Sequence, residues 1–492
     1  MSGGDDAERS DEAEFPRSWE ERKPMNTAPA LRRGLSRRQL NMIALGGVIG
    51  AGLFVGSGVV IGETGPAAFI TYGLCGTVVV LVMRMLAEMA TANPSTGSFA
   101  DYARQAMGDW AGFAVGWLYW YFWVVIVGFE AIAGGAVIRY WINAPLWLVS
   151  LILMLAMTAT NLFSVAAFGE FEFWFAGIKV AAIAVFFGLG SLFALGAWPS
   201  HGIDFSNLTS QGGFFPHGLG TVFGAVSVVI TAMVGAEVTT IAAAETVNPE
   251  RAVARAIRSV VVRIVIFYVG SVFLLTVIVP WHARQVGVSP YVAALRAMGI
   301  PAADHIMNAV VLTAVLSCLN SGLYTASRML FVLAAQHEAP LRLVKVGRRG
   351  VPYVAILCSS VVGFLCVIMA WVAPRTVFVF LLKSSGALVL SVYLVIALSQ
   401  IVLRRRTPAE RLRVKMWLFP GLSILTLVAI VAVLVLMALD RDTQAELWLG
   451  LMSWAVVLVL YFVLRWWRTP VRREVTMPSI GKVTRALVLP RR

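Results

Sequence analysis

Hydrophobic residues run along this chain in long unbroken stretches instead of alternating with polar ones. Twelve such runs lie at roughly 39–62, 66–90, 111–138, 145–163, 168–195, 219–245, 259–280, 304–333, 352–373, 376–402, 416–438 and 445–466. Each is close to the ~20 residues that a helix needs to cross a bilayer. Peptide groups in lipid find no water, so segments this apolar satisfy their hydrogen bonds internally and are predicted to be α-helices. The pattern therefore predicts an all-α polytopic membrane protein with twelve transmembrane helices. Residues 1–38 are polar and charged and are expected to form a flexible cytoplasmic tail. Residues 467–492 form a basic tail at the other end.

Composition agrees: 59% of the 492 residues are hydrophobic, 13% are charged, and the mean hydropathy is +0.80. The net charge of +14 would suggest a nucleic-acid partner in a soluble domain, but its distribution argues otherwise. Of the 40 Lys and Arg, thirty fall in the two tails and in the loops after spans 2, 6, 8 and 10. Arg139, Arg284, Arg296, Arg375 and Arg441 fall on the other side. Such bias orients membrane proteins and predicts both termini in the cytoplasm, in the inner (plasma) membrane. Cys75, Cys318, Cys358 and Cys366 lie far apart in apolar spans and read as buried thiols. No metal-ligand spacing and no nucleophile–His–acid set marks an enzyme, and no cofactor is implied.

Span 1 reads "NMIALGGVIGAGLFVGSGVV" and carries an unusual number of glycines. A phosphate loop would need a preceding strand, which the pattern lacks. Gly46/Gly50 and Gly52/Gly56 fit close helix packing. They also fit a broken helix, because each glycine costs about 1 kcal/mol relative to alanine in a helix interior. Unwound backbone at membrane depth is tolerated only around a cavity, where its N–H groups and the following half-helix suit a carboxylate. Five spans later, "VSVVITAMVGAEVTTIAAAET" is interrupted by Gly235 and Glu237. Paired interruptions in two halves point to a transporter's binding site. They favour two inverted five-span repeats, 39–195 and 219–402, followed by two peripheral helices at 416–466.

The segments "LGGVIGAGLFVGSG", "PSTGSFADYA", "GEFEFW", "MVGAEVTTIAAAET" and "SCLNSGLYTASRML" resemble the amino acid permeases of the amino acid–polyamine–organocation superfamily, in order, over about 35–470. Within that group, "GWLYWYFWVVIVGFEAIAGG" and "SSGALVLSVYLVIALSQ" are most similar to bacterial 4-aminobutyrate (GABA) permeases. The resemblance implies a leucine-transporter-type fold with broken helices 1 and 6 and proton-coupled uptake of a zwitterionic amino acid. It places Val48, Ile49, Gly50, Ala51 and Gly52 around the substrate carboxylate. Carbonyls of Thr231, Ala232 and Met233, beside Gly235, would face the ammonium group. Two positions depart from the family: Thr231 stands where an aromatic gate is common, and Lys383 where GABA permeases carry an acid.

A charge at mid-membrane costs about 2.5–3.5 kcal/mol, so each asks for a reason. Lys179 lies about 15 Å into span 5. The resemblance implies that its ammonium replaces the cation of sodium-coupled relatives and carries the coupled proton. The alternative is a constant partner for span 1 carbonyls or for Glu172. Glu130 in span 3 is a candidate for the substrate ammonium, or else a structural acid between helices. Glu237 reads as structural or gating, and Arg84 with Glu88 as an i,i+4 pair. Lys383 either snorkels or lines an access path. Asn320, Tyr324 and Ser384 are candidate pocket polars or helix–helix glue. The expected partners are thus a small amino acid, a proton and the lipid bilayer. The expected function is GABA import by proton symport. Exchange, facilitated transport and transport of another neutral or aromatic amino acid are the alternatives.

Overall fold

The computed structural model describes residues 36, 38–39, 42, 49–93, 95, 97–199, 201–238, 260–283, 289–347, 349–373, 385–441 and 443–467. Among them the regular elements are helical, and the one extended pairing is an isolated bridge between Trp198 and His201. In chain order they begin with α1 (Ala51–Phe54), α2 (Gly56–Thr64), α3 (Ala68–Ala92), α4 (Ser98–Met107), α5 (Asp109–Ile138), α6 (Leu146–Phe163) and α7 (Val165–Ala194). Next come α8 (Gly220–Gly224) and α9 (Val226–Met233), then a π-helical stretch, Arg263–Gly270, that runs into α10 (Ser271–Ile278). The chain continues through α11 (Pro290–Ala297), α12 (Ala303–Ala335), α13 (Tyr353–Val372), α14 (Gly386–Arg406), α15 (Gly421–Leu439) and α16 (Gln444–Trp467).

Ten stretches of the described residues are long and apolar enough to cross a membrane. One of them, Ala51–Ala92, joins the latter part of expected span 1 to span 2 through a 3-10 turn at Gly65–Ala67. Gly220–Met233, the first part of expected span 6, is a shorter apolar helix. The segments 43–48, 239–259 and 374–384 lie outside the described residues, and with them Val48, Lys383 and Ser384.

The bundle has a centre and a rim. α5 makes its most extensive contact with α12, and 78% of its apolar window is buried. For α15 and α16 the corresponding shares are 22% and 17%, so these helices turn most of their apolar surface outward. An all-apolar helix with an exposed face suits hydrocarbon, not water. Ser164 alone separates α6 from α7 and caps α7, its Oγ accepting from the Ala167 N–H at 2.9 Å. That tight reversal sets the two helices side by side.

Polar ties fasten one end of the bundle, the end where Arg38 and Gln39 meet α7. Arg38 and Gln39 both hold Glu170, at 2.9 and 3.1 Å. Arg104 of α4 grips Glu338, just beyond α12, through two nitrogens at 2.6 and 3.0 Å. Glu88 corrects the sequence expectation. It pairs with Arg404 of α14 at 2.6 Å and accepts from Gln400 Nε2 and the Met416 N–H. Arg84 turns away, donating to the Lys415 carbonyl at 3.0 Å and lying over the Trp417 ring. The i,i+4 spacing permits a pair, but a buried carboxylate surrounded by three donors on other elements is better satisfied by them. The cysteine expectation also needs correction at one position: Cys75, Cys318 and Cys366 are buried, whereas Cys358 is exposed on the outward face of α13.

Candidate functional site

Two helix ends meet in the interior. Gly50 is extended (φ −123°, ψ −154°), and α1 begins at Ala51. In the other segment α9 stops at Met233, Val234 turns out of the helix with ψ 151°, and Gly235 adopts φ +108°. An L-residue rarely takes that last conformation, which is why glycine stands there. The two ends touch: a Cβ added to Gly52 would lie 2.9 Å from both Cα and Cβ of Ala232. Glycine at 52 thus permits the close approach.

At this junction lies a small pocket of about 20 Å³ lined by Gly50, Gly52, Phe122, Trp123, Ile126, Phe129, Glu130, Thr231, Ala232, Val234 and Cys318. It has room for about one water molecule. Glu130 is 2% exposed, and its carboxylate occupies the start of α1, both oxygens accepting from the Ala51 N–H at 3.2 and 3.3 Å. An anion at that position meets an N–H group with no helical partner and the positive end of the peptide dipoles.

Buried polar groups fix both ends from behind. Lys179 is fully buried and donates from Nζ to the Ile49 carbonyl at 2.8 Å and to Ser317 Oγ at 2.7 Å. Ser317 in turn donates to Glu172 Oε1. On the other segment, Glu237 accepts from the Gly235 N–H at 3.0 and 3.1 Å and from the hydroxyls of Tyr119 and Tyr393 at 3.1 and 3.2 Å. Tyr268, carried by the π-helical stretch, donates to the Ala232 carbonyl at 2.9 Å. Such stretches recur at functional sites because they shift the helical register.

Of the residues singled out in the sequence, Gly50, Gly52, Glu130, Thr231 and Ala232 line the pocket, and Ala51 faces it with its N–H. Ile49 contributes a carbonyl to Lys179. Met233 and Gly235 are not in the lining, and Met233 Cε lies near Gly76 of α3 instead. Asn320 pairs with Asn161 at 2.8 Å, and Tyr324 stacks on Phe168 with centroids 4.1 Å apart, so both are interhelical ties. The aromatic wall was not singled out. Its signal was available: Phe122, Ile126 and Phe129 recur at helical spacing on the face of α5 that bears Glu130.

A second, open cavity of about 1030 Å³ adjoins the pocket along α5. The pocket takes residues 122–130 of that helix, and the cavity Ala133, Val137 and Arg139, with Val55, Arg296 and Asp304 among the other walls. Its floor therefore lies one helical turn beyond Gly52 and Glu130.

A family model described as amino acid permease matches residues 39–474. A gamma-aminobutyric acid permease of Bacillus subtilis (strain 168) is 50% identical over 440 residues, covering 88% of this chain and 94% of the relative. A gamma-aminobutyric acid permease of Escherichia coli (strain K12) is 44% identical over 439 residues, 88% and 94% of the two chains. The aromatic amino acid transport protein AroP of Corynebacterium glutamicum is 38% identical over 449 residues, 89% and 97%.

Proposed function

The chain belongs to the amino acid permease family, and on that premise we propose that it imports a small zwitterionic amino acid, GABA before others, by proton symport and alternating access. In this reading it crosses the plasma membrane twelve times with both termini in the cytoplasm. Residues 39–195 and 219–402 form inverted five-helix repeats, and 416–466 adds two peripheral helices. The names of the two gamma-aminobutyric acid permease relatives support the substrate.

The observation that carries the reading is the Glu130 carboxylate on the Ala51 N–H, where the two helix ends meet. A carboxylate fits this seat. The carboxylate of an incoming amino acid takes the same N–H, and the displaced Glu130 then receives the substrate's ammonium group. In GABA those charges are separated by three methylenes, which suits an acid on a neighbouring helix. Carbonyls at the end of α9 supply further acceptors, with Ala232 held by Tyr268. Lys179 carries the coupled proton, because its bond to Ile49 ties α7 to the backbone just before the seat.

Energetically, one proton moving down 100 mV releases about 2.3 kcal/mol. At about 1.4 kcal/mol per tenfold, that sustains roughly 50-fold accumulation of a neutral substrate. The test is uptake of radiolabelled GABA into proteoliposomes under an imposed inward proton gradient. Uphill accumulation is expected, and uptake that only equilibrates at every gradient refutes symport. A permease for aromatic amino acids is the second reading, favoured by the Phe122, Trp123 and Phe129 lining and by the AroP relative. Competition by unlabelled phenylalanine stronger than by GABA itself would establish it.

A further inference from the structure

Lys179 is joined to a second titratable group. Seven residues earlier on α7, about 10 Å along the axis, Glu172 is fully buried. No direct ion pair links the two among the described residues. Ser317 of α12 bridges them, accepting from Lys179 Nζ at 2.7 Å and donating to Glu172 Oε1. The chain of donors has one direction: Lys179, then Ser317, then Glu172. The second oxygen of Glu172 is buried with no hydrogen bond closed, as are Asn320 Nδ2 and Ser321 Oγ, which lie three and four residues beyond Ser317 on α12. That direction leads towards the end of the bundle where Arg38 and Gln39 hold Glu170, two residues before Glu172. The other charged or titratable groups facing Lys179 are Glu130 of α5, Cys318 of α12 and Arg263 of the π-helical stretch.

We propose that Ser317 and Glu172 form the proton's route between Lys179 and the face of the bundle that carries the N-terminal segment. This rests on the reading of Lys179 as the proton carrier. In the transfer, an N–H bond of the ammonium breaks and an O–H bond forms on Ser317 Oγ. Ser317 passes its own hydroxyl proton to Glu172 Oε1 and is regenerated. Lysine ends as a neutral amine and glutamate as a carboxylic acid, so two buried opposite charges bridged by Ser317 are neutralised with no change in net charge. Burying an isolated charge is expensive, whereas burying two neutral groups is not. The O–H bond of the acid then breaks to a water molecule admitted from the N-terminal face, which leaves as hydronium, and Glu172 is ionised again for the next cycle. Glu172 and Ser317 are thus positioning and relay groups that touch no substrate.

The experiment compares Ser317→Ala, Ser317→Thr, Glu172→Gln and Lys179→Ala in proteoliposomes, reading gradient-driven accumulation of GABA and counterflow of labelled GABA against internal unlabelled GABA. Ser317→Ala and Glu172→Gln are expected to lower accumulation at least tenfold and to flatten its pH dependence, while counterflow persists. Ser317→Thr, which keeps a hydroxyl, restores accumulation. Accumulation within twofold of wild type in both Ser317→Ala and Glu172→Gln, with Lys179→Ala inactive, overturns the relay and leaves the lysine reading standing. Full accumulation by Lys179→Ala removes the reading beneath it. If Ser317→Ala loses counterflow as well, the threonine variant decides, and threonine behaving as alanine does overturns the relay.

Discussion

Replacing Gly50 by alanine adds one carbon at the point where the account places a carboxylate. The new Cβ would fall inside the van der Waals sphere of Glu130 Oε1 and 2.9 Å from Cys318 Cβ. The Glu130 side chain can swing away, but Cys318 Cβ is fixed to the α12 backbone and cannot. Any carboxylate on the Ala51 N–H, whether from Glu130 or from a substrate, is therefore displaced. A hydrogen bond to a charged group contributes about 1.5–3 kcal/mol, and overpacking of this kind costs about 1–3 kcal/mol. Together they come to about 2.5–6 kcal/mol, a loss of roughly 60-fold to 20,000-fold in substrate affinity at 1.4 kcal/mol per tenfold. The assay is initial GABA uptake into proteoliposomes at matched protein content, after the variant has eluted from size exclusion as wild type does. Gly62→Ala is the control, since an added Cβ there meets nothing within 4 Å, and its uptake should stay within twofold. Gly50→Ala transporting within twofold of wild type would refute the carboxylate seat.

Glu130, Tyr268 and two ion pairs away from the pocket give further outcomes. Glu130→Gln should weaken GABA about tenfold or more while affecting an α-amino acid less, measured by competition against labelled GABA, because the neutral amide no longer meets a distal ammonium charge. Tyr268→Phe removes the hydroxyl that holds the Ala232 carbonyl. A loss of about 1 kcal/mol should appear as roughly fivefold lower initial uptake. Glu88→Ala leaves the half-buried Arg404, the Gln400 amide and the Met416 N–H without the carboxylate they share, which is 2% exposed. It should destabilise the protein by about 3–5 kcal/mol in detergent unfolding, whereas Arg38→Ala, at the exposed pair with Glu170, should cost under about 1 kcal/mol.

Among the described residues, two helix boundaries fall at glycines that the sequence singles out, because glycine leaves a compositional mark. Gly50 and Gly235 flank helix ends, and the Lys179 ammonium reaches the backbone of the first segment. The sequence could not reveal which partners buried charges choose. Arg84 and Glu88 stand one helical turn apart, yet their partners come from residues 400–417, some 310–330 positions later. No local pattern encodes such a meeting. Glu130 was recognisable as an acid near the pocket, but its occupation of the Ala51 N–H depends on the register of α5 against α1. Cys358 lay in an apolar run like the other three cysteines. Apolarity marks a membrane span without saying which face looks at lipid and which at protein. The aromatic wall of α5 was missed because the whole helix is rich in large apolar residues, so one face does not stand out.

The central claim is that the junction of the two helix ends receives the substrate's carboxylate on the Ala51 N–H. A structure determined with GABA bound tests it most directly. The account predicts the ligand carboxylate within hydrogen-bonding distance of Ala51 N, with Glu130 swung onto the ligand's amino group. Ligand density confined to the open cavity beside Arg139 and Asp304, with Glu130 still on Ala51, would contradict it.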